Sequence, residues 1–111
     1  MAKINGDQRN FNISPKLKTY ALTDSGFVKM PQGSWRYYYP LYFNSPYNPT
    51  CALKIDLSHD LKHLTMLITS PDGLVKINIF KNKKNQPLRD SLNFILKDLL
   101  NRNILVEAGV K

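Results

Sequence analysis

Side chains able to do chemistry are few in this chain and lie apart. His59, Asp60 and His63 fall within five residues, in "HDLKH", and two histidines four apart would face one metal ion if the segment were helical. The segment instead sits between two strand patterns, where a turn is expected, and no third ligand lies nearby in sequence. Zinc-type sites need three or four ligands, so an exposed polar turn is the expectation, and no metal site. Cys51, the single cysteine, becomes a nucleophile only where a neighbouring base lowers its pKa. At the head of the strand pattern "CALKIDL" it reads as a small buried hydrophobe. The five glycines are widely separated, and none forms a glycine-rich run ahead of a helix that could cradle phosphate. No catalytic residue, metal or cofactor is therefore expected. An enzyme would require His59, Asp60, His63 or Cys51 to converge in one cleft.

The stretch "WRYYYPLYFNSPY" is the densest functional signal, because it holds seven of the twelve aromatic residues. Strand alternation sends Trp35, Tyr37 and Tyr39 to one face and Arg36 and Tyr38 to the other. One face joins the core, and the other presents aromatic and cationic groups together. Such a pairing suits stacking on a planar ligand, a base or a partner's side chain. Beyond Pro40, the residues Tyr42, Phe43, Pro46, Tyr47 and Pro49 read as an ordered loop whose rings fold over the sheet. The candidate ligand-binding residues are thus Trp35, Arg36, Tyr37, Tyr38, Tyr39, Tyr42 and Tyr47. The competing reading is that these rings simply fill space, as aromatics in small domains mostly do.

The elements that must position them follow from length and pattern. The 111 residues, 42% of them hydrophobic, suit one domain over residues 1–111, able to bury roughly two-thirds of its unfolded surface. With one cysteine there is no internal disulfide, and no apolar run approaches the roughly 20 residues that span a bilayer. A cytoplasmic protein without membrane contact is expected. Sixteen Lys and Arg against eight acids leave a net charge of +8, which favours polyanions through counterion release. Lys16 and Lys18, and Lys81, Lys83 and Lys84, form the local clusters; the latter looks more like a solvated turn than a groove tracking phosphates.

"RNFNI" alternates as a short first strand. Ser14 and Pro15 place a capping hydroxyl before a proline suited to a first helical position, and Leu17, Tyr20 and Ala21 continue a short helix that ends near "TDSG". Phe27 to Met30 predicts a strand, "PQG" a turn, and Ser34 to Tyr39 a strand that Pro40 should end. "CALKIDLS" sets Leu53, Ile55 and Leu57 against Lys54 and Asp56, a strand with one wet side. "HLTMLITS", Pro-Asp-Gly and "LVKINIF" predict a hairpin. From Pro87 a helix carries Leu88, Leu92, Ile95, Leu96 and Leu99 on one stripe and Arg89, Asn93, Lys97 and Asn101 opposite. Asp98 and Arg102 are set one turn apart as a pair. "NILVEAGV" resumes a strand. The fold class is α+β: mainly antiparallel sheet packed against one long C-terminal helix, with a short N-terminal helix.

"NISPKLKTYALTDSGF", "GSWRYYYPLY", "GLVKINIFK" and "LNFILKDLLNRNILVE", in this order, resemble a family of small bacterial proteins found in lactic-acid bacteria and relatives, known as a domain of unknown function. The resemblance implies an α+β fold in which sheet packs against a principal helix. It also implies a distant fold similarity to S-adenosylmethionine decarboxylases and a place near amino-acid or sulfur metabolism. Those enzymes form a pyruvoyl group by backbone cleavage before a serine, typically at a Glu-Ser bond. The one glutamate here, Glu107, is followed by Ala108, so the chemistry is not expected even where the fold is similar.

The expected function is a non-enzymatic module that binds a small molecule or a protein partner. The alternative is a nucleic-acid binder combining stacking with the positive charge, although the RNA-recognition signature "K/R-G-F/Y-G/A-F-V" is absent. Geometry separates them. Arg36, Lys54, Lys76 and the Lys81 to Lys84 cluster sharing a face with Tyr38 would favour nucleic acid, whereas rings around a concave apolar hollow would favour a small ligand. An edge strand such as "HLTMLITS" would also offer a second copy a pairing template, so a homo-oligomer stays among the expectations.

Overall fold

A computed structural model describes residues 2–42, 49–81 and 83–108. The elements run β1 (Asn10–Ile13), α1 (Thr19–Ser25), β2 (Val28–Lys29), β3 (Trp35–Leu41), β4 (Cys51–Leu57), β5 (Leu64–Thr69), α2 (Gln86–Asn101) and β6 (Leu105–Ala108), with one turn of 3-10 helix, Lys83–Asn85, leading into α2. The α+β architecture is as expected, but the strands form two antiparallel sheets rather than one. β1 pairs with β6, and β2, β3, β4 and β5 make a four-stranded meander in chain order.

The helix α2 joins the two sheets. The five residues of its predicted stripe, Leu88, Leu92, Ile95, Leu96 and Leu99, are all buried, and they share one hydrophobic cluster with Phe11 of β1, Tyr37 and Leu41 of β3, and Leu53, Ile55 and Leu57 of β4. Asp98 and Arg102 pair at 2.9 Å on the wet side. After Arg102 the chain turns through Asn103, at φ +59°, and returns as β6 against β1. The helix therefore packs on one sheet and delivers a strand to the other.

Four local expectations are altered. Ser14 does not cap α1. Its hydroxyl accepts the Lys16 N–H at 3.1 Å, and its own N–H donates to the Ile104 carbonyl at 3.0 Å. The residue thus closes a turn at the end of the β1–β6 ladder, Pro15 follows in that turn, and the helix begins at Thr19. Its C-terminus is as expected: Gly26 at φ +106° lets the Gly26 and Phe27 N–H groups return to Thr23 and Leu22, a Schellman closure that favours glycine. Phe27 and Met30 also fall outside the strand, which is only Val28–Lys29.

Pro40 does not end β3. It sits inside the strand opposite Ala52, where the ladder to β2 has already stopped at Arg36. Proline is tolerated on such an unpaired edge because no partner there asks for its missing N–H.

The hairpin after β5 forms its turn but not its second strand. Ser70, Asp72 and Gly73 build the turn: the Ser70 N–H reaches the Val75 carbonyl at 2.7 Å, and Gly73 takes φ +80°. Ladder contact is limited to the Thr69–Lys76 bridge and an Ile77 N–H to Ile68 carbonyl bond of 2.9 Å. The reciprocal rung is prised open by a side chain from the N-terminus. The Ile68 N–H donates to Asn5 Oδ1 at 3.0 Å, and Asn5 Nδ2 donates to the Ile77 carbonyl at 2.7 Å. Asn5 lies in a turn closed by Asp7 N–H to Ile4 carbonyl, with Gly6 at φ +88°. An amide inserted in a rung satisfies both backbone groups but spreads the strands, so "LVKINIF" departs from the sheet. It also covers part of the β5 edge.

Replacing Asn5 by alanine leaves the Ile68 N–H and Ile77 carbonyl without partners. Loss of about 1–3 kcal/mol of unfolding free energy is expected from the orphaned groups, measurable by urea denaturation, and hydrogen exchange at the Ile68 amide should accelerate.

Candidate functional site

The alternation of β3 separates its aromatic residues. On the inner face Trp35, Tyr37, Tyr39 and Leu41 stand opposite Leu57, Ile55, Leu53 and Cys51 of β4. The Tyr37 ring lies 4.9 Å from Phe27 and 6.1 Å from Tyr39, the latter pair stacked. Tyr37 is buried, while Tyr39, at the end of this row of rings, is 46% exposed. Here the strand passes the first half of α2, and the two elements leave a hollow of about 590 Å³ between them. Tyr39, Pro40, Leu41 and Tyr42 form one wall, and Asp90, Ser91, Phe94 and Ile95 the other. Phe94 points away from the leucine stripe and is 77% exposed; Tyr42 is 41% exposed. Asp90 and Ser91 are the hydrophilic members of the α2 wall, and the Asp90 carboxylate accepts a bond of 2.6 Å from the Gln86 amide.

Of the residues singled out from sequence, the hollow brings together Tyr39 and Tyr42. Tyr37 lies behind them in the core. Trp35 is half-buried at the other end of β3, about 13 Å from Tyr39 along the strand, with Lys29 Nζ 6.0 Å from its ring centroid. Arg36 and Tyr38 occupy the outer face: Arg36 bonds Asp56 at 2.9 Å across the ladder, and the Tyr38 hydroxyl donates to the Pro71 carbonyl at 2.9 Å. Tyr47, like Phe43 and Pro46, lies outside the described residues. Asp90, Ser91, Phe94 and Ile95 were missed. The available signal was Phe94 itself, a large aromatic on a helix position that the leucine periodicity does not bury.

The reactive candidates stay apart from the hollow. His59, Asp60 and His63 sit in the β4–β5 turn and are exposed. There Ser58 and Asp60 organise the backbone: Ser58 Oγ accepts the His63 N–H at 3.0 Å, and Asp60 accepts the Lys62 N–H at 3.1 Å. The Ser58 hydroxyl, followed by the Lys62 N–H, holds the Asp60 carboxyl below the usual range. Among the described residues no group of His, Cys, Asp and Glu is arranged to hold a metal. Cys51 is buried, and burial pushes its thiol up to about 11, the opposite of activation.

With this geometry in view, comparison with known proteins is decisive about kinship. Residues 1–106 match the family model DUF1831, described as "Putative amino acid metabolism". The chain belongs to the DUF1831 family. A solved member from Lactobacillus plantarum, the DUF1831 protein lp2179, is similar at 33% identity with a TM-score of 0.87, covering 95% of this chain and 92% of that one. Among curated proteins none matches. DUF1831 membership accounts for the fold and leaves the ligand open.

Within this DUF1831 chain the leucine stripe and Phe94 have different duties, and substitution separates them. Leu92→Ala should cost about 2–5 kcal/mol, as large-to-small changes in a closed core do. Phe94→Ala should change stability by no more than about 0.5 kcal/mol, because its ring is mostly in water. Paired urea titrations test the contrast.

Alkaline stability offers a second check. Burial first, then the neighbouring Tyr39 and Asp98, push the Tyr37 phenol up to about 12, with Arg102 acting the other way. A folded-state pKa above the unfolded value near 10 favours the neutral form in the native state. This contribution is complete below about pH 10 and is lost as pH rises through 12. Thermal midpoints followed between pH 10 and 12 should fall less steeply for Tyr37→Phe than for the parent protein.

Proposed function

We propose that this protein is a non-enzymatic binding module that holds a small molecule in the hollow between the end of β3 and α2. The observation that carries the reading is the exposure of three rings, Tyr39, Tyr42 and Phe94, around a concavity floored by Pro40, Leu41 and Ile95. Its volume of about 590 Å³ lies within the roughly 300–1,000 Å³ of ligand sites, which are mostly apolar with a few polar groups for orientation. Phe94 supports the reading further: the fold does not require it, and exposing such a ring to water is unfavourable unless something covers it. The family description supports a ligand from amino-acid metabolism. No decarboxylase step is proposed, because no serine follows Glu107.

The nucleic-acid alternative has weaker support. Tyr38 and Lys54 are cross-strand neighbours on the outer face, and Lys76 reaches the same side through its bridge to Thr69. Yet Arg36 is occupied by Asp56, and the Tyr38 hydroxyl is tied to the Pro71 carbonyl. Single-strand binding relies on several rings that stack successive bases, and among the described residues the exposed rings Tyr39, Tyr42 and Phe94 gather at the hollow while Tyr38 stands alone on the outer face.

A thermal-shift screen with the free amino acids, aromatic amines, nucleotides and short RNAs tests the proposal. A small apolar or aromatic molecule should raise the midpoint by mass action, and Phe94→Ala should abolish the shift while leaving the unliganded midpoint nearly unchanged. A response confined to nucleotides and RNA and removed by salt would overturn the reading. So would a dimer in sedimentation that Phe94→Ala dissociates, since a second copy would then be what covers the rings.

A further inference from the structure

The acids of this chain are outnumbered two to one by cations, eight against sixteen, so an acid without a cation partner needs a reason. Asp7 is held by Arg9, Asp56 by Arg36 and Asp98 by Arg102. Asp60 and Asp72 are engaged by the turns that they organise, through Ser58 and Ser70. Asp90 is different. It lines the apolar hollow, its recorded bond is the one from the Gln86 amide, and among the described residues it makes no ion pair. Among the described residues no Lys, Arg or His lines the hollow with it.

The other groups there act in the same electrostatic direction. The faces of Tyr39, Tyr42 and Phe94 each carry the negative side of a ring quadrupole, which attracts cations. The α2 wall begins at Asp90, beyond the first turn, where backbone N–H groups are already used within the helix. Among the described residues the walls therefore offer a carboxylate, π-faces and the hydroxyls of Ser91, Tyr39 and Tyr42, and no cationic side chain to meet an anion.

We propose that the ligand of this hollow is an organic amine: an ammonium group held at Asp90 and Ser91, with an apolar or aromatic body against Tyr39, Tyr42 and Phe94. The assignment rests on the small-molecule reading above and sharpens it. A free amino acid fits less well than the amine that lacks its carboxylate, because a zwitterion would set an unpaired carboxylate beside Asp90. An ammonium–carboxylate hydrogen bond is of the charge-assisted kind, and removing it costs on the order of tenfold in affinity.

Isothermal titration with four probes of one shape tests this: 2-phenylethylamine, L-phenylalanine, 3-phenylpropionate and the neutral 2-phenylethanol, each against the parent protein and Asp90→Asn. The amine should bind on the order of tenfold more tightly than the alcohol and the zwitterion, and the carboxylate most weakly. Asp90→Asn should bring the amine down to the level of the alcohol and leave the alcohol unchanged, which also shows that the groove is still formed. Equal affinities for amine and alcohol, tighter binding of the zwitterion, or an Asp90→Asn variant that retains the preference would each overturn the amine assignment while leaving a small-molecule site in place. Failure of all four probes to bind would overturn that site and the amine together.

Discussion

The burial of one helical stripe organises this molecule. Leu88, Leu92, Ile95, Leu96 and Leu99 are withdrawn from water together, at roughly 1.5–3 kcal/mol per side chain in transfer terms, in one cluster with the inner face of the meander and with Phe11 and Leu105 of the small sheet. Once α2 lies there, its C-terminal turn must send β6 back along the N-terminal segment, and so the two-stranded sheet with β1 is completed. The same placement leaves the Asp90, Ser91 and Phe94 side of the helix facing the end of β3. The hollow is thus a consequence of how the core is closed.

The N-terminus exerts a second constraint. Ala2 exchanges backbone bonds of 2.7 Å with Phe11, the Asp7 carboxylate accepts both the Arg9 guanidinium and the Arg9 backbone N–H, and Asn5 enters the rung between Ile68 and Ile77. A few residues at one end of the chain thereby connect the small sheet to the edge of the large one. Asn5 also diverts the segment after the turn, so it travels toward the start of α2, where the Arg89 guanidinium bonds the Ile79 carbonyl at 2.9 Å. The segment after β5 is consequently held to the N-terminus by an amide and to the start of α2 by a guanidinium, as well as by apolar contact.

The electrostatics of the surface follow a similar division. The outer face of the meander has its Arg36 offset by Asp56, and the lysines ahead of α2 are exposed. A net positive charge therefore coexists with a hollow of the opposite tendency. The formal total alone suggests polyanions, but recognition is decided by the groups that line a concavity and by their distance from water.

Sequence alone determined whatever depends on periodicity and on local backbone chemistry. The leucine stripe, the alternation of β3 and β4, the Gly26 helix end, the Pro-Asp-Gly turn and the buried character of Cys51 all follow from interactions within a few residues, or from an apolar face that has to be buried somewhere. Tertiary structure decided whatever depends on partners far apart in the chain. Asn5 reaches residues 68 and 77, the β1 and β6 strands meet from opposite ends of the chain, and Ser14 is diverted from capping by its bond to Ile104. For the same reason the aromatic stretch could be recognised but not apportioned: pattern divides its rings between two faces, and only the position of α2 establishes that Tyr39 and Tyr42 meet Phe94 and Asp90 while Tyr37 is enclosed. Local order is written in spacing, whereas a concavity exists only after two distant segments are set side by side.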